Sequence, residues 1–220
     1  MERLHDDIWV AQRKQRFWGV EVGTRMCVVR IAGGLFVHCP VALDEPTRRE
    51  VDALGEVRAV VAPSLFHHLY VGDWMRAYPK ASVWACPGLE KKRSDLAWTG
   101  VLGDAPMAEW RDALDQAPLT ARFEHEIVFF HRETRTLICA DALLNLRRHP
   151  SPVTRAVAVM MRNTAPGLGW MERFAVRDRA LGRKQADRVL DWDIDGVVLA
   201  HGDLVAHGGR EAFRAAYAWV

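Results

Sequence analysis

The sequence predicts an α/β fold in which two mixed β-sheets pack together and helices cover their outer faces. Residues 8–39 consist of short β-branched runs separated by glycine, the pattern of an antiparallel meander. Helices then alternate with apolar strands, and the second half adds an antiparallel hairpin. Both strand arrangements occur along one chain, which indicates two mixed sheets in an αββα sandwich.

The first half is predicted to form this meander and then two βα units. Asp44 is placed to cap a helix with Pro46 in its first turn, and Gly55 is placed to end it. The other elements expected in this half are strands over 8–10, 19–22, 26–31, 35–39, 57–62 and 81–86 and a short helix over 74–78.

The second half is predicted to begin with an irregular segment over 94–120, because glycine and proline recur there. We expect one domain over residues 1–220, since nothing in the composition divides the chain. The remaining expected elements are hairpin strands over 127–131 and 136–140, an amphipathic helix over 177–192, a buried strand over 196–200 and a helix over 209–220.

Composition and charge limit the partners. The 30 Lys and Arg nearly balance the 28 Asp and Glu, and a net charge of +2 predicts neither a nucleic-acid nor a membrane partner. A small-molecule substrate is expected instead, and the apolar strands and tryptophans allow a homodimer. The polar, acidic N-terminus does not resemble a signal peptide, and we expect a cytoplasmic protein.

Polar residues that can ligate a metal ion follow three apolar strands. His67 and His68 come after 57–62, Asp141 after 136–140, and His201 after 196–200. Strand ends in an α/β core meet at one edge, so these side chains are expected to converge. Imidazole and carboxylate together predict a site for one divalent ion, zinc or iron. The alternative is that the histidines only make structural hydrogen bonds.

A basic segment follows the strand over 81–86. Lys91, Lys92 and Arg93 come after Pro87 and Gly88, where a helix is expected to begin. Backbone amides and three cations there predict binding of a carboxylate or phosphate of the substrate. The alternative is a solvated charged face.

Several segments of the chain resemble the metallo-β-lactamase superfamily, specifically a divergent branch that is a domain of unknown function. The segments that carry the resemblance are 66–69, 78–79, 87–93, 130–131, 136–141 and 201–203. It spans nearly the whole chain, and it implies an αββα fold and a metal-dependent hydrolase.

The main motif of that superfamily is His-x-His-x-Asp-His, and this chain departs from its first half. The first two histidine positions fall on Pro63 and Leu65, which cannot ligate a metal. The other first-site histidine matches best near Arg122, and His125 fits only with a shift. The resemblance therefore implies that the first of the usual two metal sites is lost.

The second site is complete in the same comparison. Its Asp position falls on His67, its last motif histidine on His68, its bridging carboxylate on Asp141 and its final histidine on His201. A hydroxide bridging two metals is then in doubt as the nucleophile, because the Asp that orients it is replaced by His67.

The resulting hypothesis is a hydrolase-like enzyme with a single metal ion, in which Asp203 or Asp73 serves as base. Two alternatives stay open. One is a mononuclear iron oxidoreductase, and the other is a non-catalytic binding module on the same fold.

Overall fold

In the computed structural model, which describes residues 1–120 and 125–220, two β-sheets face each other between layers of helices. In chain order the strands are β1 (Glu2–His5), β2 (Ile8–Arg13), β3 (Arg16–Phe17), β4 (Val20–Glu21), β5 (Thr24–Ile31), β6 (Gly34–His38), β7 (Val57–Ala62), β8 (Ser82–Ala85), β9 (Gly100–Val101), β10 (Leu114–Thr120), β11 (His125–His131), β12 (Thr136–Ile138) and β13 (Gly196–Val198). The helices are α1 (Glu45–Leu54), α2 (Val71–Ala77), α3 (Leu89–Lys92), α4 (Pro152–Met160), α5 (Trp170–Ala175), α6 (Arg179–Leu190) and α7 (Gly209–Tyr217).

Both large sheets are mixed. The seven-stranded sheet has the order β1-β2-β5-β6-β7-β8-β9, with antiparallel pairing as far as β6 and parallel pairing from β6 to β9. The four-stranded sheet has the order β10-β11-β12-β13, and its last pair is parallel. Strands β3 and β4 form a separate hairpin. The predicted α/β sandwich of two mixed sheets is confirmed.

The side chains of β11 point alternately into two hydrophobic cores and so connect the layers. Ile127 and Phe129 pack into the core shared with the seven-stranded sheet, where Phe129 contacts Phe36 edge-on. Val128 and Phe130 point the other way and join a core that includes residues of α6 and α7. Successive strand side chains face opposite sides, so a strand that is apolar throughout is buried on both faces.

The capping residues in the sequence predicted both ends of α1 correctly. The Asp44 carboxylate accepts a hydrogen bond from the Thr47 amide at 2.8 Å, and Pro46 lies in the first turn. Gly55 follows the last residue with φ +147°, a backbone conformation that favours glycine. These contacts confirm the predicted start and end of the helix.

The prediction of an irregular segment over 94–120 was wrong at its end. Strand β10 pairs with β11 over seven residues and includes Pro118. Proline is tolerated because β10 lies at the edge of its sheet, where one row of amides needs no strand partner. Helix α2 also begins earlier than expected, at Val71, and β1 was not predicted.

No helix in the described part of the chain has the length and apolar character needed to cross a bilayer. The single domain over residues 1–220 and the cytoplasmic location stay predictions.

Candidate metal centre

Three of the four predicted ligands converge where strand ends of the two sheets meet. His67 follows β7, whereas Asp141 and His201 follow the parallel neighbours β12 and β13. The two oxygens of Asp141 lie 3.1 Å from His67 Nε2 and 3.2 Å from His201 Nε2. The two Nε2 atoms are 3.2 Å apart. Among residues 1–120 and 125–220, no other group of three His, Cys, Asp or Glu side chains brings its ligand atoms this close together.

The geometry suits one divalent ion. Bonds of about 2.0–2.2 Å at a tetrahedral angle separate neighbouring ligand atoms by about 3.3 Å. The two Nε2 atoms are 3.2 Å apart, and each lies 3.1–3.2 Å from a different oxygen of Asp141. Two imidazole nitrogens that face each other beside a carboxylate share a cation, either a proton or a metal ion. Their side chains are only 8–16% exposed, so the protein encloses the three ligands and leaves a narrow opening.

His201 is held in the orientation and tautomer that a metal ligand needs. Its Nδ1–H donates to the Gly23 carbonyl at 2.7 Å, which leaves Nε2 to face His67 and Asp141. Ligating histidines characteristically donate their other ring N–H to a carbonyl or carboxylate in this way. The buried Arg25 donates to the carbonyls of Leu199 at 2.5 Å and Gly202 at 2.7 Å, on both sides of His201. The start of β5 therefore fixes the third ligand.

Asp141 is oriented by a buried carboxyl group that the sequence reasoning missed. Glu126 on β11 is 3% exposed and accepts hydrogen bonds from the amides of Ala140 at 2.5 Å and Asp141 at 2.9 Å. Burial, and then the charge of Asp141, raise the pKa of Glu126 to about 8. An acidic residue at the start of an otherwise apolar strand was the available signal.

The loop that carries His67 is tied to the second sheet. The Ser64 hydroxyl accepts from the amides of Phe66 and His67, each at 3.3 Å. The Pro63 carbonyl accepts from the Ile127 amide at 2.9 Å. Hydroxyl groups close tight turns by such bonds to nearby amides. The turn directs His67 toward the strand end that carries Asp141.

Opposite charges are stabilised within the cluster. Burial disfavours the Asp141 carboxylate, but the charge of His67 and hydrogen bonds from His201 and His67 outweigh it and hold the pKa of Asp141 well below its ordinary value. Burial likewise disfavours the His201 imidazolium, but Asp141 and the Gly23 carbonyl raise its pKa. Bound metal replaces these protons, because a ligating imidazole must be neutral at the coordinating nitrogen.

His68 lies outside the three-residue group. Its Nδ1 lies 3.1 Å from Nη1 of Arg93. Guanidinium only donates, so this nitrogen accepts and the ring proton of a neutral His68 is on Nε2. Burial and the charges of Lys92 and Arg93 lower the pKa of His68 to about 4, which keeps the ring neutral. In this arrangement neither ring nitrogen offers a lone pair to a metal ion.

The predicted anion-binding residues adjoin the His67 loop. Lys92 donates to the Leu65 carbonyl at 2.6 Å, and Arg93 contacts both His68 and Asp95. Lys91 is exposed on the same short helix, α3. Two of the three cations are therefore engaged by the protein itself, and their role toward a substrate stays a prediction.

The two predicted bases differ in position. Asp203 is exposed two residues after His201, and its backbone pairs with Asn145 at 2.9 and 3.0 Å. Asp73 pairs with Arg76 on the exposed side of α2. In the described part of the chain neither carboxylate contacts the ligand cluster, and the role of either residue as base stays a prediction.

Other histidines remain apart from the three ligands. His125 begins β11 opposite Thr120, and Arg122, the other candidate position for the lost first site, lies outside the described residues. His38 ends β6, and its buried Nε2 has no hydrogen-bond partner among the residues described. Burial, and then the charge of His67, lower the pKa of His38 to about 3, so the ring is neutral.

A small cavity adjoins the cluster on the side of the four-stranded sheet. Its volume is about 40 Å³, and its lining includes Glu126, Asp141, Thr120 and Gln185. Most of its other lining residues are apolar, and a cavity of this volume has room for water but not for a substrate.

The family is decided by comparison with known sequences. The profile of a family described as a domain of unknown function, DUF4336, matches residues 5–167. The chain belongs to the DUF4336 family. A search of curated proteins finds no match to this DUF4336 chain.

Solved structures similar to this DUF4336 protein show its fold. They include a metallo-β-lactamase from Pontibacter korlensis, 12% identical, with 98% of this chain and 97% of that chain covered and a TM-score of 0.67. A metallo-β-lactamase from Erythrobacter litoralis is 12% identical, with coverage of 100% and 96% and a TM-score of 0.68. FIM-1 from Pseudomonas aeruginosa, solved in a mono-zinc form, is 13% identical, with coverage of 99% and 92% and a TM-score of 0.64. The predicted resemblance in fold is confirmed.

Proposed function

We propose that this protein is a metal-dependent hydrolase that binds one divalent ion, zinc or iron, through His67, Asp141 and His201. The observation that carries the proposal is the set of ligand atoms 3.1–3.2 Å apart, with His201 fixed by the Gly23 carbonyl. A relative of the same fold, FIM-1, was solved with a single zinc, which supports one ion as a workable number on this scaffold.

In the proposed reaction, different residues bind the ion and accept the proton. His67, Asp141 and His201 hold the ion and leave positions for water and substrate. A bound ion of this kind lowers the pKa of a water molecule to about 7 and polarises a carbonyl or phosphoryl oxygen. Asp203, which is exposed and two residues after His201 in the sequence, would accept the proton of the attacking water.

The substrate is proposed to be a small molecule with an anionic group. Lys92 and Arg93 contact Leu65 and His68, which places the basic end of α3 beside the loop that carries His67. Lys91 on the same helix is exposed and adds a further positive charge. A carboxylate or phosphate near the opening is attracted by these cations.

The first experiment is elemental analysis of protein purified without a His-tag. The wild type is expected to carry about one equivalent of zinc or iron. His201→Ala is expected to lose the ion, because the two ligands that remain bind a metal ion weakly. His207→Ala is the matched control, since His207 is exposed and pairs with Asp195. Metal-free wild type, or full occupancy in His201→Ala, contradicts the proposal and favours a non-catalytic binding module.

A second candidate function follows from the ligand types. Two histidines and one carboxylate with open positions also suit ferrous iron and oxygen chemistry. Protein loaded anaerobically with Fe²⁺ or with Zn²⁺ separates the two candidates. Oxygen consumption by the iron form favours an oxidoreductase, whereas zinc-dependent cleavage of an ester, amide or phosphodiester favours the hydrolase.

A further inference from the structure

The outward face of α4 is apolar. Val153, Val159 and Met160 are 63%, 65% and 66% exposed, and Ala156 beside them is exposed as well. At 100° per residue these four lie on one side of the helix, opposite the buried Thr154 and Ala158. A helix at a protein surface normally has the reverse pattern, with its apolar face inward. We call the four exposed residues the α4 face.

Seven arginines lie close to α4 and α5 in the sequence, and two of them, Arg173 and Arg179, lie over the ring of Trp219. Between residues 147 and 179 the sequence has seven arginines but only two acidic residues, Glu172 and Asp178. In the described part of the chain none of the seven has a carboxylate partner, although arginines elsewhere do, such as Arg132 with Asp115. The whole-chain charge of +2 hides this local excess. The seven are Arg147, Arg148, Arg155, Arg162, Arg173, Arg177 and Arg179.

Exposed aromatic side chains of α5 follow α4. Trp170 and Phe174 on α5 are 51% and 79% exposed, and the Trp170 amide bonds to the Met161 carbonyl just after α4. Tryptophan is favoured at the boundary between water and lipid.

We propose that the α4 face and its arginines bind the surface of an anionic lipid bilayer, with the helix in the plane of the membrane. Arginine pairs with phosphate through two hydrogen bonds, and each basic residue near an anionic leaflet strengthens binding. Apolar side chains beside it enter the headgroup boundary. This proposal departs from the expectation of no membrane partner, which rested on the whole-chain charge and stays a prediction.

The side chains also argue against two other occupants. A second copy of this chain docked through the same face brings seven arginines against seven, and like charges repel. Single-stranded nucleic acid could stack its bases on Trp170 and Phe174, but it would leave the aliphatic side chains of the α4 face exposed to water. Lipid is the anionic partner that uses both the arginines and the aliphatic side chains.

The test is co-sedimentation of the full chain with vesicles. Binding is expected to vesicles of phosphatidylcholine and phosphatidylserine mixed three to one, to weaken with salt, and to be absent with phosphatidylcholine alone. The double variant Val159→Glu and Met160→Glu is expected to bind about tenfold or more weakly, because it places carboxylates where apolar groups and cations are needed. Val101→Glu is the matched control, at an exposed valine on β9.

The arginines are tested separately. Arg147→Gln and Arg162→Gln are each expected to weaken vesicle binding about fivefold, the equivalent of ~1 kcal/mol. Arg214→Gln on α7 is the control, since Arg214 is exposed and lies outside the arginine-rich segment. Chelation is expected to leave vesicle binding unchanged, which separates this proposal from the metal centre.

A second measurement does not depend on variants. Hydrogen exchange of the wild type is expected to slow in the segment after α4, around residues 161–163, when anionic vesicles are added. Equal binding to neutral vesicles, no binding to either kind, or unchanged binding by the double variant overturns the proposal. So does a wild-type dimer that the double variant converts to monomer, or single-stranded RNA binding that requires Arg147 and Arg162.

Discussion

Replacing Gly202 by alanine should damage the protein more than any other glycine substitution of equal size near the candidate metal centre. Gly202 directly follows His201 and has φ +96°, a conformation that side chains rarely adopt. A Cβ atom there would lie 1.9 Å from the Asn145 carbonyl oxygen and 2.4 Å from its carbon. Both contacts are with backbone, so a change of rotamer cannot relieve them.

The surrounding hydrogen bonds prevent an easy shift. The Asn145 amide donates to the His201 carbonyl at 3.0 Å, and the Asp203 amide donates to the Asn145 carbonyl at 3.0 Å. Arg25 holds the Gly202 carbonyl at 2.7 Å. The left-handed backbone costs ~1–2 kcal/mol for alanine, and overpacking costs a further ~1–3 kcal/mol. Gly202→Ala should therefore lower the free energy of unfolding by about 2–5 kcal/mol.

Two control variants separate these contributions in urea unfolding. Gly33 has φ +83° and nothing within 4 Å of its added Cβ, so Gly33→Ala measures the backbone cost alone. Gly103 has open space and no such φ, so Gly103→Ala should be close to neutral. Gly202→Ala should also lose metal, because His201 moves with the strained backbone. Equal destabilisation by Gly202→Ala and Gly33→Ala, or unchanged metal content in Gly202→Ala, refutes the reasoning.

Three further predictions concern the residues around the ligands. The pKa of Glu126 is raised to about 8 from an ordinary 4.5, so the folded metal-free protein holds a proton that the unfolded chain releases. The free energy of unfolding should therefore fall as pH rises from about 4.5 to about 8. Glu126→Gln should flatten that slope in urea unfolding at several pH values, and an unchanged slope would assign it to another group. Arg25→Lys should weaken metal binding about 10- to 100-fold in a chelator competition, because a single ammonium cannot hold both carbonyls that flank His201; wild-type affinity would remove Arg25 from that role. His68→Gln should retain the metal ion, since the His68 ring is already used in accepting a hydrogen bond from Arg93. Loss of the metal ion in this variant would show that His68 is a ligand.

The order of elements was predictable because its signals are local. Asp44, Pro46 and Gly55 mark the ends of α1, and the apolar run over 57–62 has the same bounds as β7. The strand β10 was missed because Pro118 argues against a strand. Only the sheet order, which places β10 at an edge, makes that proline acceptable.

The sequence by itself determined the fold class and the strand ends that carry the candidate ligands, since both follow from apolar runs and the polar residues directly after them. Only the tertiary structure decided between the adjacent His67 and His68, because loop geometry turns one ring toward Asp141 and the other toward Arg93. It alone also identified the supporting contacts. Gly23 and His201 are 178 residues apart, and a hydrogen bond over that separation leaves no local pattern in the chain.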